Sequence, residues 1–180
     1  MMETRTKRRS ILAACCSAHA VQDGLGALFP LYFAVLTLSF GTASLLNSHL
    51  VIRLGMKPLT RGAIIGATLA SAAFFLVAAM VGGHPPLWTL MVYLLVVFFC
   101  IGLLFGNLNA LALEPLGHIA GIAASVIGTM TTLLSMLLGA AIGLAYDGTV
   151  LPLIGGFAVL GALSLSTMLW AESKRQNLVT

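Results

Sequence analysis

Charged side chains are scarce in this chain and confined to short stretches. No residue between Arg61 and Glu114 is Lys, Arg, Asp or Glu, and the same holds from Pro115 to Tyr146 and from Gly148 to Ala171. Uncharged apolar runs of that length read as membrane spans rather than core helices. They are continuous, without the alternation over about ten residues that marks outer-membrane strands, so the predicted elements are helices. Five spans follow: Leu28 to Ile52, Gly62 to Gly83, Leu87 to Leu113, Ile119 to Tyr146, and Leu151 to Ala171. The shortest has 21 residues, enough at ~1.5 Å per residue to cross about 30 Å of hydrocarbon. The connections "RLGMKPLTR", "GGHPP", "EPLGH" and "YDGTVLP" each join Gly or Pro to a polar residue, as helix stops do.

Composition agrees with a lipid-facing surface, since 59% of the 180 residues are hydrophobic and 8% are charged. The fold class expected is all-α integral membrane: five transmembrane helices plus a short amino-terminal helix. Residues 1–27 form a basic terminus and shortened helix, 28–172 a transmembrane bundle, and 173–180 a cytoplasmic tail. Arg53, Lys57 and Arg61 follow the first span and Lys174 and Arg175 follow the last, whereas "GGHPP" and "YDGTVLP" hold neither Lys nor Arg. The basic face is therefore expected in the cytoplasm, with the carboxyl terminus on that side of an inner (plasma) membrane. The net charge of +4 reflects this topology and calls for no nucleic acid.

The amino terminus fits less well. "METRTKRRS" carries four basic residues and also favours the cytoplasm, so a crossing is missing. Between it and the first span lies "ILAACCSAHAVQDGLGA", 17 residues interrupted by His19, Gln22, Asp23 and Gly24. It reads as a shortened or half-length helix. A signal peptide is disfavoured, because the apolar part from Ile11 to Cys16 is six residues against roughly 7 to 15 for an h-region. Cys15, Cys16 and Cys100 are spaced for neither a disulfide framework nor a metal site.

Within the spans, small residues recur at four-residue spacing: Gly62, Gly66 and Ala70; Ala120, Ala124 and Gly128; Ser135, Gly139 and Gly143. Such rows let helix backbones approach closely in lipid, and the fourth span, with two of them, is expected to be the most enclosed. Polar residues mark faces. Tyr93, Cys100 and Asn107 share one side of the third span, and Ser125, Thr129, Thr132 and Met136 one side of the fourth, which suggests a shared cavity. Tyr32, Ser39 and Asn47 lie close to one side of the first. Hydroxyls can bond back to their own helix, but Asn107 and Asn109 need a partner or water at depth, and intramembrane polar groups are functional candidates. The substrate-pathway candidates are Asn107, Asn109, Tyr93, Ser125, Thr129, Thr132, Tyr32 and Asn47. Glu114, His118 and Asp23 are candidates for proton coupling.

Two blocks, "FPLYFAVLTLSFGTASLLNSHLVIRLGMKPL" and "GLLFGNLNALALEPLGHIAGIAASVIGT", resemble the eighth-helix and tenth-to-eleventh-helix regions of drug/proton antiporters of the major facilitator superfamily, in the bicyclomycin-resistance (Bcr/CflA) branch. The core of the second, Asn107 through "ALALEPLGHIAG" to Ser125 with one Ala inserted, is the more specific. The resemblance runs from about Phe29 to Trp170 and implies that the five spans correspond to helices eight to twelve of the carboxyl-terminal half. "RLGMK" resembles a degenerate second copy of the superfamily's cytoplasmic loop motif, keeping Arg53, Gly55 and Lys57 but with Ile52 where an acid is expected. Gly106 and "MTT" at Met130 to Thr132 also depart from the branch.

That resemblance implies multidrug efflux by drug/proton antiport, here in a half-length or truncated form. The partners expected are the bilayer, a small amphipathic or cationic drug and protons, with a separate amino-terminal half or further copies of the chain. The alternatives are a non-transporting membrane interaction protein and an inert gene remnant. Enzyme activity is not expected, since HExxH, GxSxG and a phosphate loop after a strand are all absent; neither a cofactor nor a metal is indicated.

Overall fold

The computed structural model describes residues 32–177, with side chains through Lys174. The shortened amino-terminal helix, Asp23, Cys15 and Cys16 lie outside the described residues. All regular structure among those described is helical: α1 (Tyr32–Leu54), α2 (Met56–Met80), α3 (Leu87–Leu113), a 3-10 segment (Glu114–Ile119), α4 (Ala120–Leu144) and α5 (Leu151–Asn177). The first turns of α1, residues 32–38, group apart from residues 39–177; there Thr37 donates to the Phe33 carbonyl at 2.7 Å. The packing below is that of 39–177.

Four helical stretches are long and apolar enough to cross a membrane, and the one from Leu87 to Leu144 has 58 residues. A straight helix of that length would reach about 87 Å, nearly three bilayers. It is broken instead at Leu116 (φ −111°, ψ 20°) and Ile119 (φ −129°, ψ 28°), where Pro115 cannot continue the i to i−4 ladder. Five membrane-length helices result, as the apolar runs predict. This is the helical membrane architecture expected for the fold class.

The first connection differs from expectation. "RLGMKPLTR" is almost wholly helical, and α2 begins at Met56 rather than Gly62. Gly55 alone turns the chain, at φ 80°, a conformation open to a residue without Cβ. Pro58 falls in the first turn of α2, where its missing N–H has no intrahelical partner to lose. At the other end α5 continues past the expected tail boundary to Asn177.

The helices alternate in direction from α1 to α5. Arg53, Lys57, Arg61, Glu114, Glu172 and Lys174 gather at one end, hereafter the basic end. The opposite end carries the turns at 81–86 and 145–150, joined by a Val150 N–H to Gly83 carbonyl bond of 3.1 Å. There the carboxylate of Asp147 accepts from the Thr149 amide at 3.0 Å and hydroxyl at 2.7 Å, and the Thr149 hydroxyl accepts from Leu151 N–H at 3.2 Å, capping α5.

Helix α2 occupies the centre. It buries Leu59, Thr60, Ala63, Ile64, Ser71 and Ala78. One cluster joins Ala43 of α1, Leu59 and Ala63 of α2 and Leu103 of α3. A second joins Ala78, Tyr93, Val97 and Ile154 of α2, α3 and α5. Parallel helices α1 and α3 approach most closely at Gly102, where a Cβ would stand 2.5 Å from the Phe40 carbonyl oxygen and 2.8 Å from the Ala43 Cβ. The corresponding contact of α2 with α5 sets Thr68 against Gly161.

The expectation that α4 is the most enclosed helix is overturned. Ala123 is its one buried residue, and Gly121, Gly128, Gly139 and Gly143 face open space. Helix α4 meets α5 near its far end, where Ile142 packs over Gly156. A row of small residues permits close approach but does not supply the neighbour; the close contacts fall instead at isolated glycines of α3 and α5. Gly102→Leu should therefore lower detergent stability by about 1–3 kcal/mol, the range for an overpacked contact, while Gly128→Leu and Gly139→Leu leave the thermal midpoint unchanged. Equal losses at all three positions would show that α4 is enclosed after all.

Candidate functional site

Helices α1 and α3 run side by side, and the contacts between them climb in register. Ser39 donates to the Leu95 carbonyl at 2.8 Å, Phe40 meets Phe105 edge-on at 6.0 Å, and Asn47 meets Asn107. The two amides bond reciprocally: Asn47 Nδ2 donates to Asn107 Oδ1 at 3.0 Å, and Asn107 Nδ2 to Asn47 Oδ1 at 2.8 Å. Asn107 Nδ2 also donates to the Leu103 carbonyl at 2.9 Å. A carbonyl can only accept, so that third bond fixes which way the Asn107 amide faces and, through it, the orientation of Asn47.

Asn107 is 2% exposed, whereas Asn47 is half-buried. An Asn side chain offers two donors and a two-lone-pair acceptor. Asn47 therefore has one N–H and one lone pair beyond the reciprocal bonds, and the residue is only half-buried. The pair lies about 9–10 Å inside the basic end, six to seven residues from the last residues of α3 and α1 at ~1.5 Å each. It is neutral at every physiological pH, so it can orient a polar group but cannot itself carry a proton. Gly106 borders it; a Cβ there would stand 3.8 Å from Asn47 Nδ2, an ordinary contact.

Two residues singled out from sequence on separate helices thus meet. The others do not join them. Asn109 is exposed and bonds back to the Phe105 carbonyl at 2.9 Å. Ser125, Thr129 and Thr132 are exposed on α4 and bond back to Ile122, Ser125 and Gly128, each at 2.8 Å, which is the self-satisfied alternative open to hydroxyls. Among the described residues no hydrogen bond links them to α3. Tyr32 is the first described residue and belongs to the separate first turns of α1.

Tyr93 has a different setting from Asn107, roughly 21 Å farther along the same helix. Its hydroxyl lies 3.0 Å from Ser71 Oγ, and its ring stacks on Phe74 at 4.6 Å and 4°. Ser71, 1% exposed, was missed by sequence reasoning. The available signal was the spacing of Thr60, Ile64, Ser71 and Ala78 along one face of α2, all buried. This second polar contact ties α2 to α3.

Arg53 closes α1, Gly55 makes the turn and Lys57 opens α2, so the loop motif is a helix elbow. Glu114 and His118 are exposed in the 3-10 segment. The acids among the described residues are Glu114, Asp147 and Glu172, all near helix ends or in connections. The Asp147 carboxyl is held below the usual carboxylate value, first by the Thr149 hydroxyl and then by the Thr149 amide. Among the described residues no group of His, Cys, Asp and Glu is arranged to hold a metal ion.

No family model and no solved structure matches the chain. It is similar to the uncharacterized MFS-type transporter YdgK of Bacillus subtilis (strain 168), at 31% identity over 119 residues, covering 64% of this chain and 29% of that protein. The aligned part thus spans less than a third of the relative's length. The similarity supports major facilitator membership, and it does not distinguish the bicyclomycin-resistance branch from others.

If the amides bind each other as described, Asn107→Leu strands Asn47 and should cost stability on the order of 0.5–2 kcal/mol, the range for interhelical hydrogen bonds in membranes. The double replacement Asn47→Leu/Asn107→Leu should recover much of that loss, because removing both partners leaves nothing unpaired. Strictly additive losses in a detergent unfolding cycle would show that the two amides act independently.

Proposed function

We propose that this chain is a membrane transport protein of the multidrug-efflux type, exchanging a small amphipathic or cationic drug for protons. The observation that carries the reading is the Asn47–Asn107 pair, a polar contact within the spans whose half-buried member, Asn47, has donor and acceptor capacity to spare. The likeness to an MFS-type transporter supports it. Secondary transporters bind substrate between two helical bundles. The helices described here supply one wall, and the other comes from a second bundle, either an amino-terminal half or another copy of this chain. The basic end faces the cytoplasm, as its Lys and Arg residues favour.

In this reading the pair orients polar groups of the drug, while apolar side chains of the surrounding helices hold its body. The proton is carried elsewhere, by Glu114, His118 or Asp23, because the amide pair is neutral and the acids among the described residues lie near helix ends or in connections.

The test is pH-gradient-driven efflux of a fluorescent cation from proteoliposomes, with the second bundle supplied. Asn107→Leu should slow efflux about tenfold, the equivalent of ~1.4 kcal/mol and one good hydrogen bond. Asn109→Leu, which removes a side chain bonded only to its own helix, should change it less than twofold. Equal effects at the two positions, or none at either, would sink the assignment of the pair to the pathway.

A further inference from the structure

The basic end holds two adjoining cavities, of about 430 and 340 Å³, which share Lys57, Leu111 and Glu114 in their walls. The second is completed by Met168, Ala171, Glu172 and Lys174, so it opens between the ends of α2, α3 and α5. Arg61 and Glu172 stand 3.9 Å apart and offset each other, the one ion pair among the described residues. Lys57, Lys174 and Glu114 make no hydrogen bond or ion pair among those residues. Lys57, Lys174, Glu114 and Glu172 thus face the second cavity, and with Arg61 offsetting Glu172 from outside its wall the group carries an excess of one positive charge at the level where a bilayer's headgroups lie. One turn deeper, Leu111 and Met168 line its apolar wall.

We propose that this crevice is a binding site for an anionic phospholipid. Lys57 and Lys174 bracket the phosphodiester, whose single negative charge matches the excess. Glu114 accepts hydrogen bonds from hydroxyls of a glycerol headgroup, and the acyl chain runs along Leu111 and Met168. A choline headgroup fits less well, being neutral overall and without a donor for Glu114. Basic recesses between helix ends on the cytoplasmic side attract anionic lipid by the same electrostatics. The site requires only that the helices span the membrane and is independent of any transport activity.

Native mass spectrometry of the detergent-purified chain titrated with phosphatidylglycerol, phosphatidylcholine or inorganic phosphate tests it. Phosphatidylglycerol should be retained over phosphatidylcholine, and Lys57→Gln/Lys174→Gln should weaken its binding about twenty-five-fold, roughly fivefold for each lysine. Both lysines are exposed, and an unchanged size-exclusion profile checks that the variant folds. Glu114→Gln should weaken phosphatidylglycerol two- to threefold without weakening phosphatidylmethanol, which has no headgroup hydroxyl. Arg53→Gln, at the same end but outside both cavities, should alter binding less than twofold. Wild-type retention by the double lysine variant would overturn the proposal, as would an equal loss on Arg53→Gln, which indicates diffuse surface charge. Displacement of the lipid by millimolar phosphate would assign the site to a soluble anion instead.

Discussion

The arrangement rests on the packing of α2 between α3 and α5. In lipid, apolar side chains gain little by leaving their surroundings, so helices hold together by close van der Waals contact and by the few hydrogen bonds between them. Helix α2 has both: small residues at Ala63 and Ala78, close approach to α5 at Thr68, and the Ser71–Tyr93 contact to α3. The other helices gather around it, with α1 joining α2 and α3 in one cluster at Ala43 and α4 meeting α5 where Ile142 packs over Gly156.

The number and extent of the spans were legible because charge exclusion from the hydrocarbon is severe, and a stretch such as Leu87–Leu113 declares itself by composition alone. Boundaries were legible where Gly and Pro act together, as at Gly82, Gly83, Pro85 and Pro86. They failed at Pro58, since a proline in a first turn looks in sequence like one in a loop. The packing order was largely hidden. Glycines at regular spacing on α4 suggested enclosure, yet the close approaches fall at Gly102, Gly156 and Gly161, which belong to no such row. Spacing within one helix describes a face, and only the partner helix decides whether that face is occupied.

The polar site was half legible for a related reason. An amide in a membrane helix must find a partner, so Asn107 and Asn47 could each be singled out. Their meeting depends on the parallel register of α1 and α3, which neither segment encodes alone. The α4 hydroxyls show the converse, for Ser125, Thr129 and Thr132 satisfy themselves within one turn and need no second helix. Ser71 escaped notice because a single hydroxyl among alanines resembles ordinary filling until Tyr93 is brought against it.

Gly55 is the sole non-helical residue between Leu54 and Met56. A connector of one residue has almost no slack, so α1 and α2 form a mechanical elbow rather than two tethered rods. A tilt of α1 must be passed directly to α2, and hence to the centre of the packing. Lengthening the joint by a few flexible residues would uncouple the two helices while leaving every side-chain contact within the spans available.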